Sequence, residues 1–211
     1  MKFALCLLLA IIGSANAQFS ATAQAAIVKN HNDLRSAFAK GSYIDGNGLI
    51  QPSAANMRKM KWDTTVAASA QKYANTCPED HSGYPDLGEN LYWSWSYNSP
   101  TNLDNFGVTA SNSWQSEFQD YGLPSITLDE DTYNLGIGHA TQMVWAETNL
   151  IGCGVKNCGK DASMSNMYRV AVVCQYKGPG NYIDSDIYQP GDTCSFCSSG
   201  FRCETSSGLC A

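Results

Sequence analysis

The chain has 211 residues, 44% of them hydrophobic, and a formal net charge of -6 at pH 7, enough for one domain with a sizeable core and a short appendage. Its 13 Lys and Arg against 19 Asp and Glu form no basic cluster, which makes nucleic acid and anionic membrane surfaces poor electrostatic partners.

Lys2 precedes an unbroken apolar stretch from Phe3 to Ile12, and Ala15 and Ala17 then occupy the small positions a signal peptidase reads. Residues 1–17 therefore read as a secretory signal peptide, too short for the roughly 20 residues that cross a bilayer. No later apolar segment is longer, so the expected protein is secreted, extracellular and without a membrane span, beginning near Gln18. Cleavage removes Cys6 and leaves eight cysteines, the even number of a disulfide framework in an oxidising compartment.

Ile27, His31, Leu34 and Phe38 recur at three- and four-residue spacing, predicting a first helix over 25–40 with Gly41 as its left-handed stop. His31 and Arg35 lie one turn apart on it. A polar group on a buried stripe must be paired, so this pair reads as structural and His31 stays outside the candidate site. Residues 41–53 read as a loop, and Met57, Met60 and Trp62 as core filling. A second helix is expected over 64–75, with Val66, Ala70 and Tyr73 inward. A third covers 107–119, where Val108, Ser111, Trp114 and Phe118 share a face and Glu117 stands beside Trp114 on the next turn.

Between these helices, Tyr92, Trp93, Trp95 and Tyr97 crowd one stretch ahead of Asn98-Ser99-Pro100, whose turn chemistry places it at the surface. A contact patch is one reading. As a strand, Trp93, Trp95 and Tyr97 would instead share a core-packed face, with Tyr92 pointing away. Residues 152–156 and 168–177 read as antiparallel strands joined through 159–166. Residues 189–211 hold four cysteines and scarcely any aliphatic side chains, a tail that its own disulfides must hold. No N-x-[ST] acceptor with a permitted middle residue follows the signal, so ordinary N-glycosylation is not expected.

Gly138-His139-Ala140-Thr141-Gln142-Met143-Val144-Trp145 sets an ionisable ring after two near-adjacent glycines and before an apolar turn, an arrangement that builds a site. It is echoed by Val173-Cys174-Gln175-Tyr176-Lys177-Gly178-Pro179-Gly180-Asn181-Tyr182. The two runs resemble the paired signatures of the CAP superfamily (cysteine-rich secretory, antigen-5 and pathogenesis-related; SCP/TAPS), in its nematode venom-allergen-like or Ancylostoma-secreted-protein type. His31, Asn32 and Arg35 match that family's H-N-x-x-R element, and the resemblance covers about residues 25–188.

The resemblance implies an α+β fold, a three-layer α-β-α sandwich with a mainly antiparallel central sheet. A CAP domain would span 18–188, followed by a cysteine-rich, hinge-like tail over 189–211. It implies the bridges Cys77 with Cys158, Cys153 with Cys174, Cys194 with Cys203, and Cys197 with Cys210. It also implies a cavity lined by His81, Glu89, Glu117 and His139. In relatives that bind sterols or fatty acids, an aromatic-bearing loop or a groove between helices receives the lipid, a placement similar to that of Tyr92, Trp93, Trp95 and Tyr97. One position departs: the third residue of the first signature, usually aromatic, is Ala140, which implies a smaller or more open cavity wall.

Two imidazoles with two carboxylates support three chemistries. Neutral nitrogens coordinate a divalent cation such as zinc, with His81 and His139 as ligands. A glutamate beside a metal-bound water makes a hydrolase or protease. A hydrogen-bonded network merely satisfies buried polar groups, as in a structural extracellular interaction domain. The chain has no H-E-x-x-H, no G-x-S-x-G and no cysteine left over for a thiolate. The expectation is thus a non-enzymatic binding module for a small apolar ligand or an extracellular protein, requiring no cofactor but able to hold a cation.

Overall fold

The computed structural model describes residues 19–211; the secretory signal read over 1–17, with Cys6, lies outside the described residues. The first helix, α1 (Ala21–Ala39), begins earlier than the apolar spacing suggests, because Ser20 caps it by accepting from the Ala23 amide. It is followed by β1 (Lys61–Trp62), α2 (Thr64–Ala74), β2 (Leu87–Ser96) and α3 (Asn105–Asp120). The chain continues through β3 (Thr127–Leu128), α4 (Glu130–Tyr133), α5 (Gly138–Val144), β4 (Leu150–Asp161) and β5 (Met167–Lys177). Three short strands close it: β6 (Ser185–Asp186), β7 (Cys203–Glu204) and β8 (Leu209–Cys210).

The main sheet has the order β1-β4-β5-β2. β1 runs parallel to β4, while β4 with β5 and β5 with β2 are antiparallel. Alternation along β5 assigns its two faces. Val170, Val172, Cys174 and Tyr176 join a large core with Ile27 and Phe38 of α1, Trp114 and Phe118 of α3, and Ala140 and Met143 of α5. Val173 turns the other way, with Leu91, onto Ala70 and Ala74 of α2. Helices therefore cover both faces, giving the three expected layers. The α2 layer lies very close: a Cβ on Gly154 would stand 2.3 Å from the Gln71 Cα, so only glycine fits there.

The aromatic stretch is a strand and not a loop. Tyr92, Trp93 and Trp95 lie in β2, paired without interruption from Leu87 opposite Lys177 to Ser96 opposite Tyr168. Tyr92 and Trp93 pack on opposite faces. The indole nitrogens of Trp93 and Trp95 donate to the Pro78 carbonyl and to Asp161 Oδ2. Tyr97 follows the strand and is 81% exposed, so it does not share the packed face. Local turn chemistry at 98–100 ends the strand; it does not lift the preceding residues off the sheet.

Arg35 ties the layers together. Its guanidinium is fully buried and donates to five main-chain carbonyls, those of Arg58, Met143, Trp145, Ala146 and Thr148, at 2.8–3.0 Å. All of its N–H donors are thereby used. His31 is equally buried: Nδ1–H donates to the Ile27 carbonyl and Nε2 accepts from the Tyr176 hydroxyl, both at 2.9 Å.

Disulfides join Cys77 to Cys158, Cys153 to Cys174, Cys194 to Cys203 and Cys197 to Cys210. Cys153 and Cys174 stand directly opposite each other on β4 and β5. The tail is more than an appendage. Leu209 and Cys210 are fully buried, and Leu209 belongs to the large core. The Cys210 amide donates to the Met57 carbonyl, and Ser36 of α1 and Lys40, which caps it, donate to the Ser207 and Ser206 carbonyls.

Candidate functional site

Two of the three histidines meet at one hollow. A cavity of about 260 Å³ is lined by His81, Glu89, Asn90, Tyr133, Gly136, Gly138, His139 and Asn181. His31 lies apart in the core, as its structural reading requires.

His139 sits in the first turn of α5, and α3 delivers both groups that hold its ring. Trp114 stacks against it, with centroids 6.0 Å apart and planes at 14°. One turn on, Glu117 Oε1 accepts from His139 Nδ1 at 2.6 Å, while Oε2 accepts from the Ala140 amide at 2.9 Å. Spacing of three on a helix puts Trp114 and Glu117 on neighbouring turns, so one element sets both the tilt and the tautomer of the ring.

His81 belongs to the irregular segment between α2 and β2, yet that segment is held. Cys77 is bridged to β4, the Cys77 carbonyl accepts from Arg169, and the Asp80 carbonyl accepts from the Tyr73 hydroxyl. Glu89 of β2 accepts from His81 Nδ1 at 3.2 Å and from the Ser82 amide at 2.7 Å through Oε1, and from Gln175 through Oε2. The hydrogen bond to Glu89 raises the His81 pKa, against partial burial that lowers it. Burial would raise the Glu89 carboxyl, but the hydrogen bonds from His81, Gln175 and Ser82 outweigh it and hold its pKa below the ordinary value.

The result is two carboxylate–imidazole pairs opening on a common hollow. In each, the glutamate takes Nδ1–H and leaves Nε2 as the lone pair, the arrangement that orients metal-ligating histidines. All four residues named from the sequence are therefore brought together, with Glu117 standing behind His139 and not in the wall.

Sequence reasoning missed Asn90, Tyr133 and Asn181. Asn90 donates to the His139 carbonyl at 3.0 Å and to the Tyr176 hydroxyl at 3.2 Å, linking the cavity to His31. Asn181 donates to the Gly138 carbonyl at 2.7 Å and accepts from the Thr141 hydroxyl at 2.8 Å, clamping the start of α5. Its position in the second signature was a usable signal. Nothing in the sequence marks Tyr133. The expectation for Ala140 is corrected: its side chain is fully buried in the core and its main chain serves Glu117, so it does not form the cavity wall.

Tyr92, Trp93, Trp95 and Tyr97 do not line this cavity. The sulfurs of Cys194, Cys197 and Cys210 cluster within 4.8 Å, but all three are spent in disulfides.

The fold and the paired signatures define the class. The chain belongs to the cysteine-rich secretory protein (CAP) family, whose family model matches residues 28–176. It is 38% identical over 188 residues to the Ancylostoma secreted protein of Ancylostoma caninum, covering 86% of this chain and 42% of that protein's length. It is 35% identical to scoloptoxin SSD976 of Scolopendra dehaani, over 87% of this chain and 81% of the toxin. Among solved structures it is similar to NaASP2, crystallised with Zn²⁺, at a TM-score of 0.79 and 36% identity, covering 92% of this chain and 97% of the other. BmVAL-1 follows at a TM-score of 0.82 and 32% identity, over 92% and 96%. These likenesses place the chain with the nematode, venom-allergen-like type. Among the described residues no helix is long and apolar enough to cross a membrane.

Proposed function

We propose that this protein is a secreted, extracellular, non-enzymatic binding module whose His/Glu cavity holds a divalent cation, zinc by its donor set. The observation that carries this reading is the pair of glutamate-oriented imidazoles opening on one cavity. The donor types suit zinc: His81 and His139 would be the ligands, and Glu89 and Glu117 hold their rings by hydrogen bonds to Nδ1. A bound cation would supply Lewis acidity and a site for exchangeable ligands. The crystallisation of the similar NaASP2 with Zn²⁺ supports the same reading.

Two features weigh against a cysteine or serine nucleophile. Every cysteine among the described residues is in a disulfide. The Ser82 hydroxyl accepts from the Tyr84 amide, whereas a serine nucleophile would face an imidazole. The second ligand would be a small apolar molecule such as a sterol or fatty acid, or an extracellular protein. A groove of about 440 Å³ between α1 and α3, containing Ala23, Ala26 and Val108, supports the apolar ligand. The contribution of Tyr92, Trp93, Trp95 and Tyr97 would come from the edge strand and its end.

Native mass spectrometry of the secreted protein reads metal and lipid together. Zinc should add to the wild type and fail to add to the His81→Ala, His139→Ala double variant, while Glu117→Gln should weaken it by about 10- to 100-fold. Because the His81 pKa is raised, zinc affinity should fall as the pH drops through that value. Zinc uptake indifferent to both histidines, or peptide or ester turnover abolished by chelation, would overturn the proposal.

A further inference from the structure

A second hollow of about 620 Å³ lies beyond the His/Glu cavity, at the junction of the main domain and the segment leading to the tail. Its walls include Asn56, Arg58, Trp145, Tyr182, Asp186 and Gln189. We propose that this groove binds a short, uncharged oligosaccharide.

The lining matches the chemistry of a sugar. A pyranose presents an apolar C–H face and a rim of hydroxyls, each of which both donates and accepts. Tyr182 supplies an aromatic surface that is 54% exposed and is held against the largely buried Trp145, centroids 6.0 Å apart at 66°. Around it stand donors and acceptors in mixture. Asn56 Oδ1 accepts from the Gln189 amide, leaving the Asn56 side-chain N–H groups for a ligand. Asp186 Oδ1 accepts from the Thr127 hydroxyl, leaving its second oxygen as an acceptor. The Gln189 side chain adds one group of each kind.

Charge narrows the class. Arg58 shares the lining with Glu147 and Asp186, a balance of one negative charge in a chain that is itself at -6. Sulfated and sialylated glycans are thereby disfavoured, and a sterol would leave these polar groups unpaired.

The groove is also fixed before any ligand arrives. The carbonyls of Arg58, Trp145 and Ala146 are all held by the buried guanidinium of Arg35. Arg58 in turn donates to the Glu147 carbonyl at 2.8 Å and to Ser198 Oγ at 3.1 Å, and lies 5.0 Å over the ring of Phe201. A preformed wall avoids the ordering cost that weakens binding.

The test is a chemical-shift titration of the ¹⁵N-labelled secreted protein at millimolar concentrations of chitotriose, maltotriose and lacto-N-tetraose. A heparin hexasaccharide and a capped alanine–glutamine peptide serve as comparison probes. Saturable shifts at the Trp145 indole and at Tyr182 are expected with at least one neutral glycan. Tyr182→Ala should weaken that binding about tenfold, Gln189→Ala should also weaken it, and Tyr121→Ala, which removes an exposed ring elsewhere, should leave it unchanged. The proposal is overturned if no neutral glycan shifts these signals, if binding survives both groove substitutions, or if only heparin or the peptide binds there.

Discussion

His31 and His81 titrate in opposite senses because one is buried against a hydroxyl and the other is half-exposed beside a carboxylate. Burial lowers the His31 pKa from 6.5 to about 4, so the folded state favours the neutral ring. Its contribution to stability is complete above pH 6.5 and is lost as the pH falls from there towards 4, by about 3 kcal/mol in all. Urea denaturation across this window should show that slope, and His31→Gln should remove it; an unchanged slope would refute the assignment. His81, with its pKa raised by Glu89, contributes below its ordinary value and loses that contribution as the pH rises through the folded one. At this scale the sequence was informative where a motif carried the residue: His81, Glu89 and His139 line the cavity, and Glu117 stands behind His139. Asn90 escaped because its neighbour Glu89 leaves the strand on the opposite side, a geometry that requires knowing the strand exists. Tyr133 escaped because α4 is one turn long and has no period to read.

Helices were legible from their apolar spacing, since α1, α2 and α3 each bury one stripe. Strand β2 was ambiguous because an aromatic-rich edge strand and a surface patch share the same letters, and only the ladder with β5 decides between them. The element that depends most on one side chain is the junction of α1 with residues 143–148, held by Arg35. Replacing Arg35 by Met would leave the Trp145 and Ala146 carbonyls only the Thr148 and Arg58 amides and would take the Arg35 donor from those of Arg58, Met143 and Thr148, each costing about 1–3 kcal/mol if left unsatisfied, against a total stability of roughly 5–15 kcal/mol. No cooperatively folded Arg35→Met protein is expected by circular dichroism and urea titration. Arg35→Lys, whose ammonium has three donors on one atom, cannot span the same carbonyls and should fold with reduced stability. A native-like denaturation midpoint for either variant would contradict this role.

For the whole molecule, the three-layer architecture and the disulfide pattern were implied by resemblance to the family, whereas spacing alone left the cysteine pairing open. The docking of the tail was not legible, because its few aliphatic side chains looked insufficient for any core; it borrows the core of the main domain instead. Leu209→Ala, which empties a fully buried site, should cost about 2–5 kcal/mol in urea titration. A loss within error of zero would mean that the tail is an independent appendage after all.

Asn181 and Tyr182 are adjacent in the chain, yet one borders the His/Glu cavity and the other the outer groove. Between them runs a single peptide unit, braced where the Gly180 amide donates to Gln142 and where a Cβ on Gly180 would lie 2.6 Å from the Trp145 ring. Linkage fixes what this adjacency can do: whatever factor filling one compartment applies to affinity at the other, the reverse must hold by the same factor. Measuring the affinity of one compartment with its neighbour empty and then filled reads that factor directly.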